Sequence, residues 1–443
     1  MTTSLILNPL EDWLQQSQGQ KAVMEGVFVE TLRKEASNLV SLGGLPQKKD
    51  EQWRFTDLAE LLGVNFQVAP LVNLTQDEIA HFYLLEAPQS RLVFVNGIFA
   101  PSLSDVSALP DGVFVGNGEQ LGNEQKEKIV KYLGQQPEQD EVFTALNTAA
   151  LTDVAIVWAQ AKQIIETPIH LLFLSVVSET PSLTQPRLLV VAETGASFTL
   201  IESYGAIASN CTDIPQNRPY LTNGVAEIYL GENARINQVR VQRESGDGFH
   251  LARTAIAQEK NSSYTFTEAS LGAKLSRHKL DIYQKGEQTE TYLHGLTMIE
   301  GKQIADTHSA VYLNHPSGTV HQLHKCIVDQ RAHAVFNGRI IVPKPAQLTN
   351  ATQLNRNLLL SNKARVNTKP ELQITADNVK CAHGATVSQL EADELFYLSS
   401  RGLSEDNARN LLIDAFAAEI LAKIPLVSLR KRLSQCVACR SFE

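Results

Sequence analysis

ENARINQVRVQRE, Glu232 to Glu244, and NSSYTFTEASL, Asn261 to Leu271, are built alike: a turn containing asparagine, then a run rich in Ile, Val, Tyr, Phe and Thr. Asparagine tolerates the left-handed backbone of a tight turn, and β-branched and aromatic side chains suit a pleated, half-buried surface. The unit starts again near Gly286-Glu287-Gln288 and Ser317-Gly318-Thr319, a repeat of roughly 25 to 30 residues, which is the solenoid range. Weaker turns fall between, at Gly301-Lys302-Gln303, Arg331-Ala332-His333 and Asn362-Lys363-Ala364. A half-period of roughly 12 to 15 residues gives each coil two strand-bearing faces, with polar side chains expected outward and small or apolar ones stacked inside.

Working outward, the strand texture begins near residue 153 with DVAIVWAQ, PIHLLFLSVVS and PRLLVVAET. An antiparallel sandwich shows similar spacing, but more than about 200 residues of unbroken strand texture overfill one sandwich. Before the strands, Val23, Val27, Phe28, Leu32 and Ala36 recur at helical spacing until Gly43-Gly44-Leu45-Pro46 stops them. A second amphipathic piece carries Trp53, Leu58, Leu61 and Leu62, Asn96-Gly97 signals a hairpin, and residues 121–150 return to helical spacing. After about residue 390, DELFYLSSRG reads as a short helix closed by Gly402. SEDNARNLLIDAFAAEILAKIP reads as a long one, with Ser404 as N-cap and a largely apolar stripe through Ala408, Leu411, Leu412, Ala415, Phe416, Glu419 and Ile420. The expected division is 1–150 mainly helical, 151–388 solenoid core and 389–443 helical.

The chain has 443 residues, 43% hydrophobic and 20% charged, enough for a sizeable core. A net charge of -9 gives no global attraction to nucleic acid or an anionic membrane; Arg430-Lys431-Arg432 is only a local basic stretch. MTTSLILNPLEDWLQQSQGQ lacks the basic start of an export signal, and no window approaches the length of a membrane span. Five cysteines, an odd number, suit a reducing compartment, so a cytoplasmic setting is expected.

His294, His308, His315, His321, His324, His333 and His383 crowd the later strands, with Cys326 and Cys381 among them. Imidazole and thiolate ligate zinc and iron, but in TVHQLHKCIV only His324 and Cys326 share a face while His321 points away. Cys436-Val-Ala-Cys439 is a CxxC in a tail expected to be mobile, with too few ligands for a metal centre. No phosphate loop, GxSxG elbow or HExxH occurs, so no enzyme signature is present. A solenoid also suits a polysaccharide lyase or glycosidase with acidic residues on one face, and that is the competing function.

Val379 to Leu421, VKCAHGATVSQLEADELFYLSSRGLSEDNARNLLIDAFAAEIL, closely resembles the C-terminal signature of the SufB/SufD family of iron-sulfur cluster assembly, and EQWRFTDL at Glu51 to Leu58 resembles a motif of its SufD branch. The resemblance implies a right-handed parallel β-helix with helical domains at both ends. It implies a non-enzymatic scaffold that pairs with SufB through the solenoid and docks the SufC ATPase through the C-terminal helices, with Phe396, Arg401, Leu411, Leu412 and Phe416 as docking residues. SufB carries a glutamate where this chain has Gly384 and a sulfur-accepting cysteine where it reads Thr352-Gln353-Leu354-Asn355-Arg356. No stably bound cofactor is therefore implied, only transient iron or cluster at the SufB interface. Cys381 and His383 would lie there, the histidine able to ligate iron together with partner ligands. A homodimer without SufB is a further implied state. On composition alone, the preferred reading is Cys381 as a small buried hydrophobe and His383 as a satisfied turn residue beside Gly384, and it is the resemblance that reverses this.

Overall fold

The computed structural model describes residues 9–19, 23–24, 26–208 and 215–440, the side chains of 438–440 excepted. The repeat forms two long sheets facing each other across a lumen. From Tyr220 onward the chain crosses between them at every turn, so that each strand pairs in parallel with the strands two before and two after it. The first sheet ends with His333–Val342 and Arg365–Ile374, the second with Asn350–Leu359 and Lys380–Ser388. The result is a mainly β chain whose solenoid makes about eight turns, flanked by helices. Left-handed residues recur at one corner of successive coils: Asn233, Asn261, Gln288, Ser317 and Leu348 have φ values of 59°, 58°, 60°, 62° and 62°. Two of these are the asparagines that mark the opening repeats, where the side chain tolerates that backbone.

Before residue 150 the chain is more mixed than its helical spacing suggests. Arg91–Val95 pairs in parallel with Ile169–Val176, and Val113–Asn117 pairs antiparallel with Ala155–Ala159, so both sheets begin there. Asn96 and Gly97 form the expected hairpin, with φ of 51° and 79°. Val27–Leu42 is a helix ended by Gly43, but Val23 lies before it and Val27 is 81% exposed; the buried face is Val29, Ala36 and Val40. Pro9–Gln18 is a further helix, one the sequence reading did not identify. The second amphipathic piece is a single turn at Glu51–Trp53 and a four-residue helix at Ala59–Leu62. Trp53, Leu58 and Leu61 bury individually against the rest of the domain.

Three helices follow the solenoid: Ala392–Ser400, Glu405–Leu421 and Val427–Arg440. Ser404 caps the second, its hydroxyl accepting the Asn407 N–H at 3.3 Å, and Gly402 takes the left-handed turn between the first two at φ 95°. The third corrects the expectation of a mobile tail. Cys436 sits within it, packed against buried Leu433 and Val437, while the Cys439 side chain lies outside the described residues.

The core has three layers. Phe198, Ile236, Phe266, Ile282, Val311 and Ile340 fill the lumen. The N-terminal region buries Trp13, Phe66 and Phe143 against the outer side of the first sheet at Phe249, Leu251 and Leu275. The C-terminal helices bury Ile413, Ala417, Ile420 and Leu429 against the outer side of the second sheet at Val241, Leu271, Met298 and Ile327. Both outer faces of the middle coils are thus covered, whereas Lys380–Ser388 is half-buried to exposed throughout.

Candidate functional site

Side chains alternate across a strand, so pairing register fixes which residues line the lumen. Leu200, Gln238, Phe266, Leu293, Gln322, Gln353 and His383 form one lumen-facing row, and Glu202, Arg240, Glu268, Gly295, His324, Asn355 and Ala385 form the next. The expectation of polar side chains outward is therefore wrong for the repeat that opens the reading. In ARINQVRVQRE, Gln238, Arg240 and Gln242 point inward and are buried, whereas Val239 and Val241 point outward into the C-terminal helices. Apolar outer partners invert the usual meaning of the alternation.

These inward charges satisfy one another. Arg240 donates to Glu268 at 2.7 Å and lies 3.8 Å from Glu202, which accepts from the Tyr204 hydroxyl and the Gln238 amide, each at 2.6 Å. Across the lumen, His278 Nδ1 stands 2.8 Å from Glu268 and His250 Nδ1 2.6 Å from Glu244. Burial by itself raises the Glu268 carboxyl, but His278 and Arg240 beside it prevail and hold it below the usual range. Burial pulls His324 down to about 4, against the favourable pull of Glu268. Cys326, enclosed next to it, is pushed up to about 12 by burial, the behaviour of an inert thiol.

On the outer side of the first sheet, the EQWRFTDL segment is docked by a carboxylate that sequence reasoning missed. Asp306 bonds to Thr56 and Arg277 and lies 2.9 Å from His308 Nε2, while the Arg277 guanidinium stacks over Trp53 at 3.9 Å. Burial works against its ionisation, yet Arg277 and His308 hold Asp306 down to about 2. On the second sheet, Lys325 points outward to Glu419 at 2.5 Å and to the Phe416 carbonyl at 2.9 Å, tying the helix Glu405–Leu421 to the strand that carries His324 and Cys326.

The crowded histidines do not converge. His324 and His383 face the lumen. His321 points away from it to Thr352 Oγ1 at 2.7 Å, as its position in the strand requires, and His333 contacts Asn367 at 2.6 Å. Among the described residues no group of three or more His, Cys, Asp or Glu side chains is arranged to hold a metal ion. Cys326 and Cys381 stand about 20 Å apart by strand rise and spacing, so they form no pair.

Cys381 and His383 are brought together, on the lumen side of the last strand. Cys381 follows Ala351 in its row and packs against the lumen core, and burial raises its thiol above the ordinary value. His383, two residues on, is exposed because no further coil covers it among the described residues. Of the expected docking residues, Phe396 is 75% exposed, Leu411 is 48% exposed, and Arg401 is exposed beside Tyr397. Leu412 and Phe416 are half-buried, Phe416 against Lys325 and the second-sheet core. The buried residues of that helix are Ala408, Asn410, Ile413, Ala417, Ile420 and Leu421, so Ala408 and Ile420 of the expected stripe are buried while Leu411 and Ala415 are exposed.

Residues 174–416 match the family described as SUF system FeS cluster assembly, SufBD core domain, and residues 10–171 match the SufBD protein N-terminal region. An iron-sulfur cluster assembly SufBD family protein of Synechocystis is 57% identical over 93% of this chain and 90% of its own length. The chloroplastic protein ABCI7 of Arabidopsis thaliana is 35% identical, covering 86% and 79%. The iron-sulfur cluster assembly protein SufD of Escherichia coli is 29% identical, covering 85% of each. No helix among the described residues is long and apolar enough to cross a membrane.

Proposed function

The chain belongs to the SufBD family of the SUF iron-sulfur cluster assembly system, and from that membership we propose that it works as a SufD-type scaffold subunit in the cytoplasm, not as an enzyme in its own right. The observation that carries the reading is the uncovered last coil. Among the described residues Lys380–Ser388 and Arg365–Ile374 each have a single strand partner, so their outer edges offer backbone groups to another sheet. A SufB subunit supplies the matching edge, and Cys381 and His383 then face its ligands around iron or a nascent cluster, which is cargo. His383 contributes more, since an imidazole can ligate iron or relay a proton, whereas one thiol is replaceable when the partner brings others. Without SufB the same edge is open to a second copy of this chain.

The sequence has no phosphate loop, so ATP chemistry belongs to the SufC ATPase, docked at Phe396, Arg401 and Leu411. Leu412 and Phe416 seat the docking helix, and the Lys325 contacts pass its displacement to the solenoid. Family membership leaves the carbohydrate-enzyme reading without support.

Co-purification with SufB and SufC, followed by cluster maturation in cells carrying His383→Ala, tests the proposal. The complex should assemble and maturation should fall; normal maturation in an intact complex would make His383 merely structural. Deleting the C-terminal helices, which the sequence alone suggests would leave a folded solenoid, would uncover Val241, Met298 and Ile327. SufC docking is therefore tested with the exposed changes Phe396→Asp and Leu411→Asp, and unaltered SufC affinity in both would refute that surface.

A further inference from the structure

Gln353 is 1% exposed and stands in the lumen row between Gln322 and His383. Its amide nitrogen donates to Gln322 Oε1 at 2.7 Å, and the Gln322 amide nitrogen donates to Ser309 Oγ, across the lumen, at 2.8 Å. Each amide thus turns its nitrogen toward the earlier coils. Gly338 leaves the room this needs, since a Cβ there would lie 2.4 Å from Gln353 Nε2. The Gln353 carbonyl oxygen is buried and has no hydrogen-bond partner among the described residues. An unmet buried acceptor costs about 1 to 3 kcal/mol, so it calls for a donor. The next residue in its row is His383, one strand spacing of about 4.8 Å away.

The geometry points to Gln353 as the positioning residue of His383: its Oε1 accepts a hydrogen bond from one ring N–H, fixing the tautomer so that the other ring nitrogen presents its lone pair to the partner side. A ligating histidine held in this way by its second nitrogen is oriented before the metal arrives. The inference rests on the proposed role of His383, but its test reads the ring itself.

Histidine ring ¹⁵N spectra of the full chain with SufB, in the wild type, Gln353→Leu and Gln353→Glu, are the measurement. In the wild type His383 should show one dominant tautomer, and in Gln353→Leu a mixture, with SufB still bound and cluster maturation reduced roughly tenfold, as for other lost outer partners of metal ligands. Gln353→Glu keeps the acceptor and should restore the single tautomer. If Gln353→Leu does not fold, the wild-type spectrum decides: an even mixture of tautomers at His383 there would overturn the assignment. Unchanged His383 ring shifts in Gln353→Leu would overturn it as well. Normal maturation in His383→Ala with a Gln353-dependent tautomer would instead refute the role of His383 and leave the hydrogen bond standing.

Discussion

His324 is 3% exposed in the lumen, its ring stacked with Phe336 at 4.9 Å and its Nε2 3.1 Å from Thr297 Oγ1. Burial lowers its pKa from 6.5 to about 4, so in the interval between them the unfolded chain binds a proton that the folded chain refuses. Its contribution to stability is therefore fully present above about 6.5, declines as pH falls through that window, and levels off below about 4. Linkage with these two values gives a loss of about 2 kcal/mol between pH 7 and pH 5. His324→Gln removes the titrating ring; it also loses the stack on Phe336, but at both pH values, so that cost cancels in the difference. Urea unfolding followed by far-UV circular dichroism at pH 7 and pH 5, for both proteins, isolates the proton term. Burial also holds His170, His294 and His308 below their ordinary value, and they titrate in both proteins; His278, likewise lowered by burial, shares Glu268 with His324 and is coupled to it, so the difference between the proteins reads that pair. The pH effect should be smaller in the variant by about 2 kcal/mol. Equal pH effects in the two proteins would refute the reading of a neutral, enclosed His324.

Asp306→Asn should cost about 3 kcal/mol, because it leaves buried Arg277 without its carboxylate. It should also loosen the Trp53 to Thr56 segment, visible as faster tryptic cleavage after Lys49 or Arg54. Gly295→Ala should destabilise by about 1 to 3 kcal/mol in thermal unfolding, since the new Cβ would lie 2.0 Å from His324 Nδ1 in a filled lumen. Gly384→Ala should be nearly neutral in the same assay, because its Cβ would meet only the exposed Leu354 side chain, at 3.2 Å. Iodoacetamide at pH 8, read by peptide mass spectrometry, should label Cys381 in the folded chain and reach Cys326 only on unfolding; early labelling of Cys326 would contradict its burial.

The turns were legible because their chemistry is local. Asn233 and Asn261 adopt left-handed backbone wherever a corner is needed, and Asn96-Gly97 makes its hairpin without help from the rest of the fold. The facing of the strands was not legible. Alternation reveals the inner side only when the outer side meets water, and here Val239 and Val241 are covered by helices that begin more than 160 residues later in the sequence. The helix Pro9–Gln18 was hidden by its polar composition, since only Leu10, Trp13 and Leu14 supply its buried apolar side chains, with Ser17 beside them. The positions of Cys381 and His383 could be read from the family signature, and strand alternation puts them on one side. Gln353 could not be found that way, since only the pairing register sets it beneath His383.

The first coils show what the solenoid itself requires. At Leu92, Leu171, Val157 and Val190 the lumen lining is apolar, and charge enters at Glu202, the next position in the Leu171 row. Beyond them Arg240, Glu268 and His278 occupy equivalent positions, although a buried ion pair does no better than break even against apolar side chains of similar volume. Net stability is therefore weak ground for these pairs, whereas they do restrict register. A slip of one residue turns every side chain to the wrong face, but a slip of two preserves the facing and is opposed by the apolar pattern only weakly. With Arg240 paired to Glu268 in the next coil, and Glu268 to His278 across the lumen, a two-residue slip strands a buried charge at a cost of about 3 to 5 kcal/mol. Each strand takes its register from the one before it, through Leu293, Gln322 and Gln353 to the last coil. The charges near the middle of the solenoid therefore fix which residue of Lys380–Ser388 stands over Gln353, and that residue is His383.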